Sequence, residues 1–376
     1  MSTKTTNSSK AKVLTADQSL TQNAPLLVGF DWGTNMSRIY GAPLGSKTAT
    51  VDESIPTVVG YAKDEVLAGV IPGDEKVLFG AMANKHKLHL NLVRPLEGGV
   101  IQDTKAARLF AQHIKSKLGE DASEVRAVIG MPASSDLEAR ENAREAVHGV
   151  FNKVLFVPEP FLAALGYREE DKLQDIDYQD PVLNSLYVDI GAGSADVCLV
   201  QGHYPTTEDQ LTTKVAGDTV DRIILDKILA AYPDCGLTLP RVRTIKEKHS
   251  WVLSEDAATP AIATIMVGGK PRKIDVTTQV GEGCQALLEE VFNMTKELIA
   301  RADPDSVEEL LQNVIVTGGG SLIKGFGVAL QTKLLEEGFE NPRVHVLGDN
   351  YKDFVAKGAL KTASRAREDQ WQSLLD

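Results

Sequence analysis

Near its start the chain reads Val28-Gly29-Phe30-Asp31-Trp32-Gly33-Thr34, and halfway along it reads Tyr187-Val188-Asp189-Ile190-Gly191-Ala192-Gly193-Ser194. In both, an apolar run ends on an Asp and enters a Gly-containing tight turn with a hydroxyl residue. A second strand-like run follows. A strand–turn–strand unit that occurs twice implies two similar half-molecules, each opening its own sheet. The division falls just before Leu186, with the polar stretch 171–184 as the connection feeding it. Elsewhere short β-branched runs alternate with longer amphipathic segments, which is an α/β pattern. Strands are expected at 26–31, 126–130, 153–157, 186–189, 196–201, 313–317 and 344–347. Helices are expected at 104–117, 137–150, 219–231, 284–301, 322–335 and 354–367. In the fourth helix Cys284, Leu287, Leu288, Val291, Met294 and Leu298 recur at helical spacing and read as a buried stripe.

At 376 residues the chain is too long for a single core and should hold two or three packed units. Hydrophobic residues at 43% and charged residues at 24% exclude a disordered, collagen-like or coiled-coil protein. A net charge of −12 argues against a basic groove, so direct binding of nucleic acid is not expected. Cys198, Cys235 and Cys284 are odd in number and far apart, which indicates neither a disulfide framework nor a zinc site but reduced thiols in the cytoplasm. Without a run of eighteen apolar residues, no spanning helix or direct membrane insertion is expected. Residues 1–24 are polar and read as a mobile tail.

A Gly-rich turn between strands exposes several backbone N–H donors, because no Cβ blocks close approach, and such donors can wrap a phosphate. One such turn says little, since any β-hairpin uses Gly this way. Two of them, each with a carboxylate at the strand end and a hydroxyl in the loop, ask for more than turn geometry. Asp31 and Asp189 would then face each other across a cleft and hold a Mg²⁺ ion mostly through its waters. Thr34, Ser194 and the loop amides of Gly33, Asn35, Gly191, Ala192 and Gly193 would take phosphates. A third cluster, Val316-Thr317-Gly318-Gly319-Gly320-Ser321, follows a strand; its glycines leave room for a flat base or ribose, or simply make a flexible connection. Gly217, Lys246 and Glu247 are by composition an ordinary turn and ordinary surface residues. Competing phosphate motifs fail: there is no Gly-x-x-x-x-Gly-Lys-Ser/Thr loop, and Asp196 stands where a dinucleotide fingerprint begun by Gly191-Ala192-Gly193 needs Gly or Ala.

Taken in order, these pieces resemble the actin, sugar kinase and DnaK-type chaperone superfamily from about Leu26 to the last helix, and within it the bacterial actins that organise magnetosome chains. Phe30-Asp31-Trp32-Gly33-Thr34 looks like its first phosphate loop, Asp189-Ile190-Gly191-Ala192-Gly193-Ser194 like its second, and Thr317-Gly318-Gly319-Gly320-Ser321 like its adenosine motif. Val157-Pro158-Glu159-Pro160 and Ala356-Lys357-Gly358-Ala359 look like its two connecting segments. The resemblance implies two ribonuclease-H-like lobes, each split into two subdomains, around a cleft for ATP or ADP and Mg²⁺. Lobe I would take 25–185 with an insertion at roughly 55–95, lobe II 186–350 with an insertion at roughly 217–309, and 351–376 would return to lobe I. It further implies that Asp31 and Asp189 serve the metal and the attacking water, that Glu159 orients that water, and that Lys246 and Glu247 lie beside the ribose and adenine. Read from residues alone, Glu159 before Pro160 is a helix-start carboxylate favoured by the helix dipole. Two departures stand out: Trp32 where Leu is usual, and Arg38 where eukaryotic actins carry a Lys toward the phosphates, a place from which the resemblance implies that Arg38 binds the nucleotide.

The function implied is an ATP-hydrolysing bacterial actin that polymerises with itself, head to tail, into cytoplasmic filaments positioning magnetosome chains through a vesicle or magnetosome adaptor protein. A plasmid-segregating or cell-shape actin shares every motif quoted. A small-molecule kinase of the same fold needs a general base aimed at a substrate hydroxyl, whereas Glu159 resembles the water-positioning group of hydrolytic members.

Overall fold

A computed structural model describes residues 24–373 apart from 47, 120–123, 133–134, 204, 253–259 and 349–350. The tail expected over 1–24 therefore lies outside the described residues but for its last member. In the first half β1 (Leu26–Trp32), β2 (Met36–Pro43) and β3 (Val51–Pro56) form an antiparallel meander. The chain then builds a separate small sheet from β4 (Val59–Ala62), β5 (Val77–Phe79) and β6 (Leu90–Val93), with α1 (Gly80–Lys85) between the last two. The pair β7 (Leu96–Glu97) and β8 (Val100–Ile101) brings it back. There follow α2 (Thr104–Ser116), β9 (Val125–Met131), α3 (Leu137–Val147), β10 (Lys153–Pro158) and α4 (Glu159–Tyr167).

The second half repeats the plan. β11 (Ser185–Ile190), β12 (Ala195–Val200) and β13 (Gln210–Thr213) form another antiparallel meander. Next come α5 (Gly217–Ala231), α6 (Leu239–His249) and the hairpin of β14 (Ile262–Val267) and β15 (Lys270–Asp275). α7 (Thr277–Arg301), α8 (Val307–Leu311), β16 (Val314–Thr317), α9 (Phe326–Glu336) and β17 (Val344–Val346) complete it. Finally α10 (Tyr351–Arg365) returns to the first half, and β18 (Gln372–Ser373) pairs antiparallel with β10. The two large sheets run β18-β10-β9-β1-β2-β3 and β13-β12-β11-β16-β17. In each, the opening hairpin strand lies beside a parallel strand: β1 against β9, and β11 against β16.

Central position explains composition. Leu26, Leu27, Val28 and Phe30 of β1 are all buried, as are Leu186, Tyr187, Val188 and Ile190 of β11, because both faces of each sheet are covered. One face of each sheet packs on its own helices, α2 and α3 in the first lobe, α5, α7 and α9 in the second. The other faces meet in a shared core, where Leu27 and Val128 from one sheet and Tyr187, Cys198 and Ile315 from the other enclose Leu162 of α4 and Ala359 of α10. The two helices approach so closely that a Cβ at Gly166 would strike the Phe354 carbonyl oxygen, and one at Gly358 that of Leu162. Lys361 donates to the Leu165 and Arg168 carbonyls at 2.8 Å each, satisfying the open end of α4. The three cysteines are free and buried, and burial pushes the Cys284 thiol up to about 11, which makes it unreactive. Among the described residues no helix is long and apolar enough to cross a membrane.

Candidate functional site

Both hairpin turns emerge at the same place. Strand pairing sets Asp31 opposite Arg38 across the first turn and Asp189 opposite Asp196 across the second, so the two hairpins have equivalent registers. The turns touch: a Cβ at Gly193 would overlap the Thr34 hydroxyl, leaving room there for no residue larger than Gly. The first loop is held from below by Thr57, whose hydroxyl donates to the Gly33 carbonyl at 2.7 Å and whose N–H donates to the Asn35 carbonyl at 3.0 Å. The second closes on itself, Gly191 N–H donating to the Ser194 carbonyl at 2.9 Å. It is also anchored to the start of α5, because Gly217 and Asp218 N–H donate to the Gly191 and Ala192 carbonyls at 3.1 and 2.7 Å. Trp32 turns into the core, buried and stacked on Phe30 with centroids 5.0 Å apart, so its bulk does not fall at the loops.

Four carboxylates converge behind these turns. Asp31 and Asp189 end the two equivalent strands, Glu159 opens α4, and Asp196 sits on the second strand of the second hairpin. Although Asp31, Glu159 and Asp189 keep some exposed surface, their carboxyl groups are enclosed. Burial pushes Asp31 up to about 7; burial, then the charges of Asp31 and Asp196, push Asp189 up to about 8. Glu159 is raised well above the ordinary carboxylate range by burial and then by Asp31, Asp196 and Asp189. Glu159 also lies against the end of β9, where a Cβ at Gly130 would come to 3.0 Å from its Cγ. Asp196 is buried and accepts hydrogen bonds from Ser194 Oγ at 3.0 Å and Thr212 Oγ1 at 2.5 Å. Sequence reasoning missed Asp196 as a member of this group. The signal was its spacing: it mirrors Asp189 across the turn, and residues opposed in a hairpin share a face.

The third glycine cluster closes the floor of the second lobe's share of the site. Gly318 has φ +79°, and a Cβ there would overlap Asp189 Oδ1 and the Ile190 carbonyl. Ser321 spends its hydroxyl on the Gly318 carbonyl at 2.7 Å, Gly319 is exposed, and Gly320 lies against Ile190. Lys246 reaches back to Gly217, donating to its carbonyl at 2.6 Å, and pairs with the fully buried Asp221 at 2.8 Å. Arg243 holds the other oxygen of Asp221 at 2.8 Å and also Asp218 at 2.5 Å. Glu247 is exposed on the same helix and contributes attraction to Arg243.

Arg38 is not with them. Its guanidinium pairs with Asp353 at 2.9 Å and Asp52 at 2.5 Å, donates to Tyr40 Oη at 2.9 Å and lies over the Tyr40 ring. A phosphate contact by Arg38 would require breaking two ion pairs, and the acidic partners on β3 and α10 explain why it turns away. The structure thus brings Asp31, Gly33, Thr34, Glu159, Asp189, Gly191, Ala192, Gly193, Ser194, Gly217, Lys246 and Gly318 together where the two turns meet, and directs Arg38 elsewhere. Chemically, the result is a cluster of enclosed carboxylates, raised by burial and by one another, beneath two touching glycine turns. Such a cluster takes up protons at neutral pH or is neutralised by a cation.

A model of the family described as MreB/Mbl protein matches residues 27–370. The actin-like protein MamK of Paramagnetospirillum magneticum is 29% identical over 360 residues, spanning 93% of this chain and 96% of that protein. MamK of Magnetospirillum gryphiswaldense is 30% identical over 357 residues, spanning 93% and 92%. The cell shape-determining protein Mbl of Bacillus subtilis is 28% identical over 343 residues, spanning 88% and 93%. Among solved structures, a MamK double helical filament superposes with a TM-score of 0.79 at 28% identity, covering 91% of this chain and all of that one. A non-polymerising MamK mutant bound to AMPPNP superposes with a TM-score of 0.64 at 27% identity, covering 91% and 99%.

Proposed function

The chain belongs to the MreB/Mbl family and has the actin-like fold, and from that premise we propose that it binds and slowly hydrolyses ATP and polymerises head to tail into cytoplasmic filaments that organise magnetosome chains. The observation that carries the reading is the convergence of Asp31, Asp189 and Glu159 beneath two facing glycine turns. In this reading the amides of Gly33, Asn35, Ala192 and Gly193 and the hydroxyl of Thr34 hold the phosphates, whereas Gly191 and Ser194, expected beside them, spend their donors on the Ser194 carbonyl and on Asp196 and shape the loop instead. Gly217, Lys246 and Glu247 line the sugar and base side with Gly318 to Ser321. Lobe I takes 25–185 with its insertion at 55–95, lobe II 186–350 with its insertion at 217–309, and 351–376 closes on lobe I.

Mg²⁺ fits the donor set. Among the described residues no three His, Cys, Asp or Glu side chains come close enough to hold a metal unaided, so a bound ion would take the rest of its ligands from phosphates and water. Asp31 and Asp189 would hold it through its waters, and bound there it supplies neutralisation of phosphate charge. Glu159, held above the ordinary carboxylate range by burial and by the charges of Asp31, Asp196 and Asp189, would ionise once that negative charge is offset, and as a carboxylate it accepts from and orients water at the phosphate. Opposed lobes that close on ATP favour the shape that fits the next protomer, and hydrolysis releases it. A head-to-tail contact joins two different surfaces and therefore builds an open filament. Support for self-association comes from the filament formed by a MamK relative, and support for nucleotide from the AMPPNP held by another. An adaptor protein would join the filament to its cargo.

Titration calorimetry with Mg-ATP, followed by phosphate release, tests the site. Binding with release on a scale of minutes is expected; absence of binding rejects the reading. In cells, deletion should scatter magnetosomes, and an unchanged chain of them rejects the cargo assignment.

A further inference from the structure

We propose that the groove beside the small sheet β4–β6 is a socket for residues 12–17 of the neighbouring protomer, so that successive subunits are clipped together by their N-terminal segments; the inference rests on the filament reading above. Val66, Leu67, Val70 and Leu88 line an open groove of about 590 Å³, with Asp64 and Glu65 beside them. Leu67 and Leu88 are 76% and 77% exposed. Two leucines this open on one concave surface favour whatever covers them. The small sheet does not, since its own core of Val58, Ile71, Leu78, Ala83 and Leu90 closes without them. The wall is already built: Lys63 N–H donates to the His89 carbonyl at 3.1 Å, Val66 N–H to the Lys63 carbonyl at 3.2 Å, and Lys63 Nζ to the Leu88 carbonyl at 3.0 Å.

The occupant is chosen by chemistry and by reach. Residues 12–17 read Lys-Val-Leu-Thr-Ala-Asp, and Val13-Leu14 is the one adjacent pair of large apolar side chains ahead of β1. Lys12 precedes that pair and complements the Asp64 and Glu65 rim, while Asp17 follows it and complements Lys63. Direction favours a neighbour. β3 ends at Pro56, paired with Met36 beside the first glycine turn, so the small sheet leaves lobe I at its cleft end. β1 starts at the opposite end of the same large sheet, seven residues or about 23 Å away. Within one subunit, residues 15–24 would have to run back along that sheet and then along β4. Fully extended, those ten residues span at most about 35 Å, which carries Val13 and Leu14 from the foot of one subunit to the top of the next when the two stack head to tail. The contact joins two different surfaces and repeats without closing.

The test is the critical concentration for pelleting of the full chain in Mg-ATP. Leu67→Ser/Leu88→Ser in the groove and Val13→Ser/Leu14→Ser in the segment should each raise it about tenfold. All four changes together should raise it no further than either pair, because both pairs remove the same contact. The two groove leucines are exposed, so the thermal midpoint should stay parental. The native cysteines are buried, so Val13→Cys and Leu88→Cys on separate chains can be mixed and mildly oxidised; a linked dimer should form in Mg-ATP and not in EDTA. Parental critical concentrations for both pairs, or no linked dimer, overturn the clip. Groove variants that raise the critical concentration while segment variants do not overturn the segment as occupant. A chain carrying both new cysteines that links internally as a dilute monomer overturns the neighbour. A parental chain that never pellets overturns the filament reading itself, and the clip with it.

Discussion

Replacing Asp189 by Asn should stabilise the nucleotide-free protein, and increasingly so as pH rises. The Asp189 carboxyl is pushed from 3.8 up to about 8 in the folded protein. A carboxyl whose folded pKa lies above its unfolded value contributes stability that is fully present below the unfolded pKa and is lost as pH rises through the folded one. The window therefore runs from about pH 4 to about pH 8. One pH unit inside it costs about 1.4 kcal/mol, so the parental protein should lose roughly 3–4 kcal/mol between pH 5 and pH 8 through this group, less whatever local water relaxes. Asn keeps the shape and carries no charge. At roughly 2.1 cal/mol/K per residue the 376-residue chain has an unfolding entropy near 0.8 kcal/mol/K, which makes 1 kcal/mol worth about 1.3 °C. The midpoint of Asp189→Asn should thus lead the parental midpoint by a margin that widens by about 4–5 °C from pH 5 to pH 8. Differential scanning calorimetry in EDTA at constant ionic strength reads it. A constant margin, or one that narrows with pH, refutes the claim that Asp189 is held against its charge.

Glu159→Ala removes the group proposed to orient water and no proposed phosphate contact, so phosphate release should fall about tenfold to a hundredfold, or about 1.4 to 2.7 kcal/mol, with nucleotide affinity retained; hydrolysis at the parental rate removes Glu159 from the proposed mechanism. Gly166→Ala should destabilise by about 1–3 kcal/mol or more, because its Cβ meets the Phe354 backbone rather than a movable side chain; an unchanged denaturant midpoint contradicts the described helix contact. Lys246→Met leaves Asp221 in the interior with Arg243 alone and should cost about 2 kcal/mol, measured by urea unfolding; a stability equal to the parent would show that the pair contributes nothing.

Both lobes were legible because their central strands are buried on two faces and so read as continuous apolar runs, and because the paired turns repeat. What stayed hidden was carried by tertiary contact. β15 is Lys270-Pro271-Arg272-Lys273-Ile274-Asp275, which has no apolar face and becomes a strand only by pairing with β14, whose Ala263 and Ile265 supply the buried side. The long helix expected from Cys284 begins at Thr277, since its first turns pack through Val280 and the bare face of Gly281 against Trp251 rather than through a repeating stripe. In the site, Asp31, Glu159 and Asp189 could be read from their motifs. Asp196 needed the hairpin register, and the fate of Arg38 needed Asp353, which lies 315 residues away.

Sedimentation of the purified chain with Mg-ATP, Mg-ADP or EDTA, with the pellets imaged by negative-stain microscopy, bears most directly on the claim that this fold is a nucleotide-regulated polymer. Filaments should pellet in Mg-ATP, diminish as ATP is consumed and be absent in EDTA. A protein that binds ATP yet stays in the supernatant under all three conditions contradicts the account and leaves a soluble enzyme of the same fold.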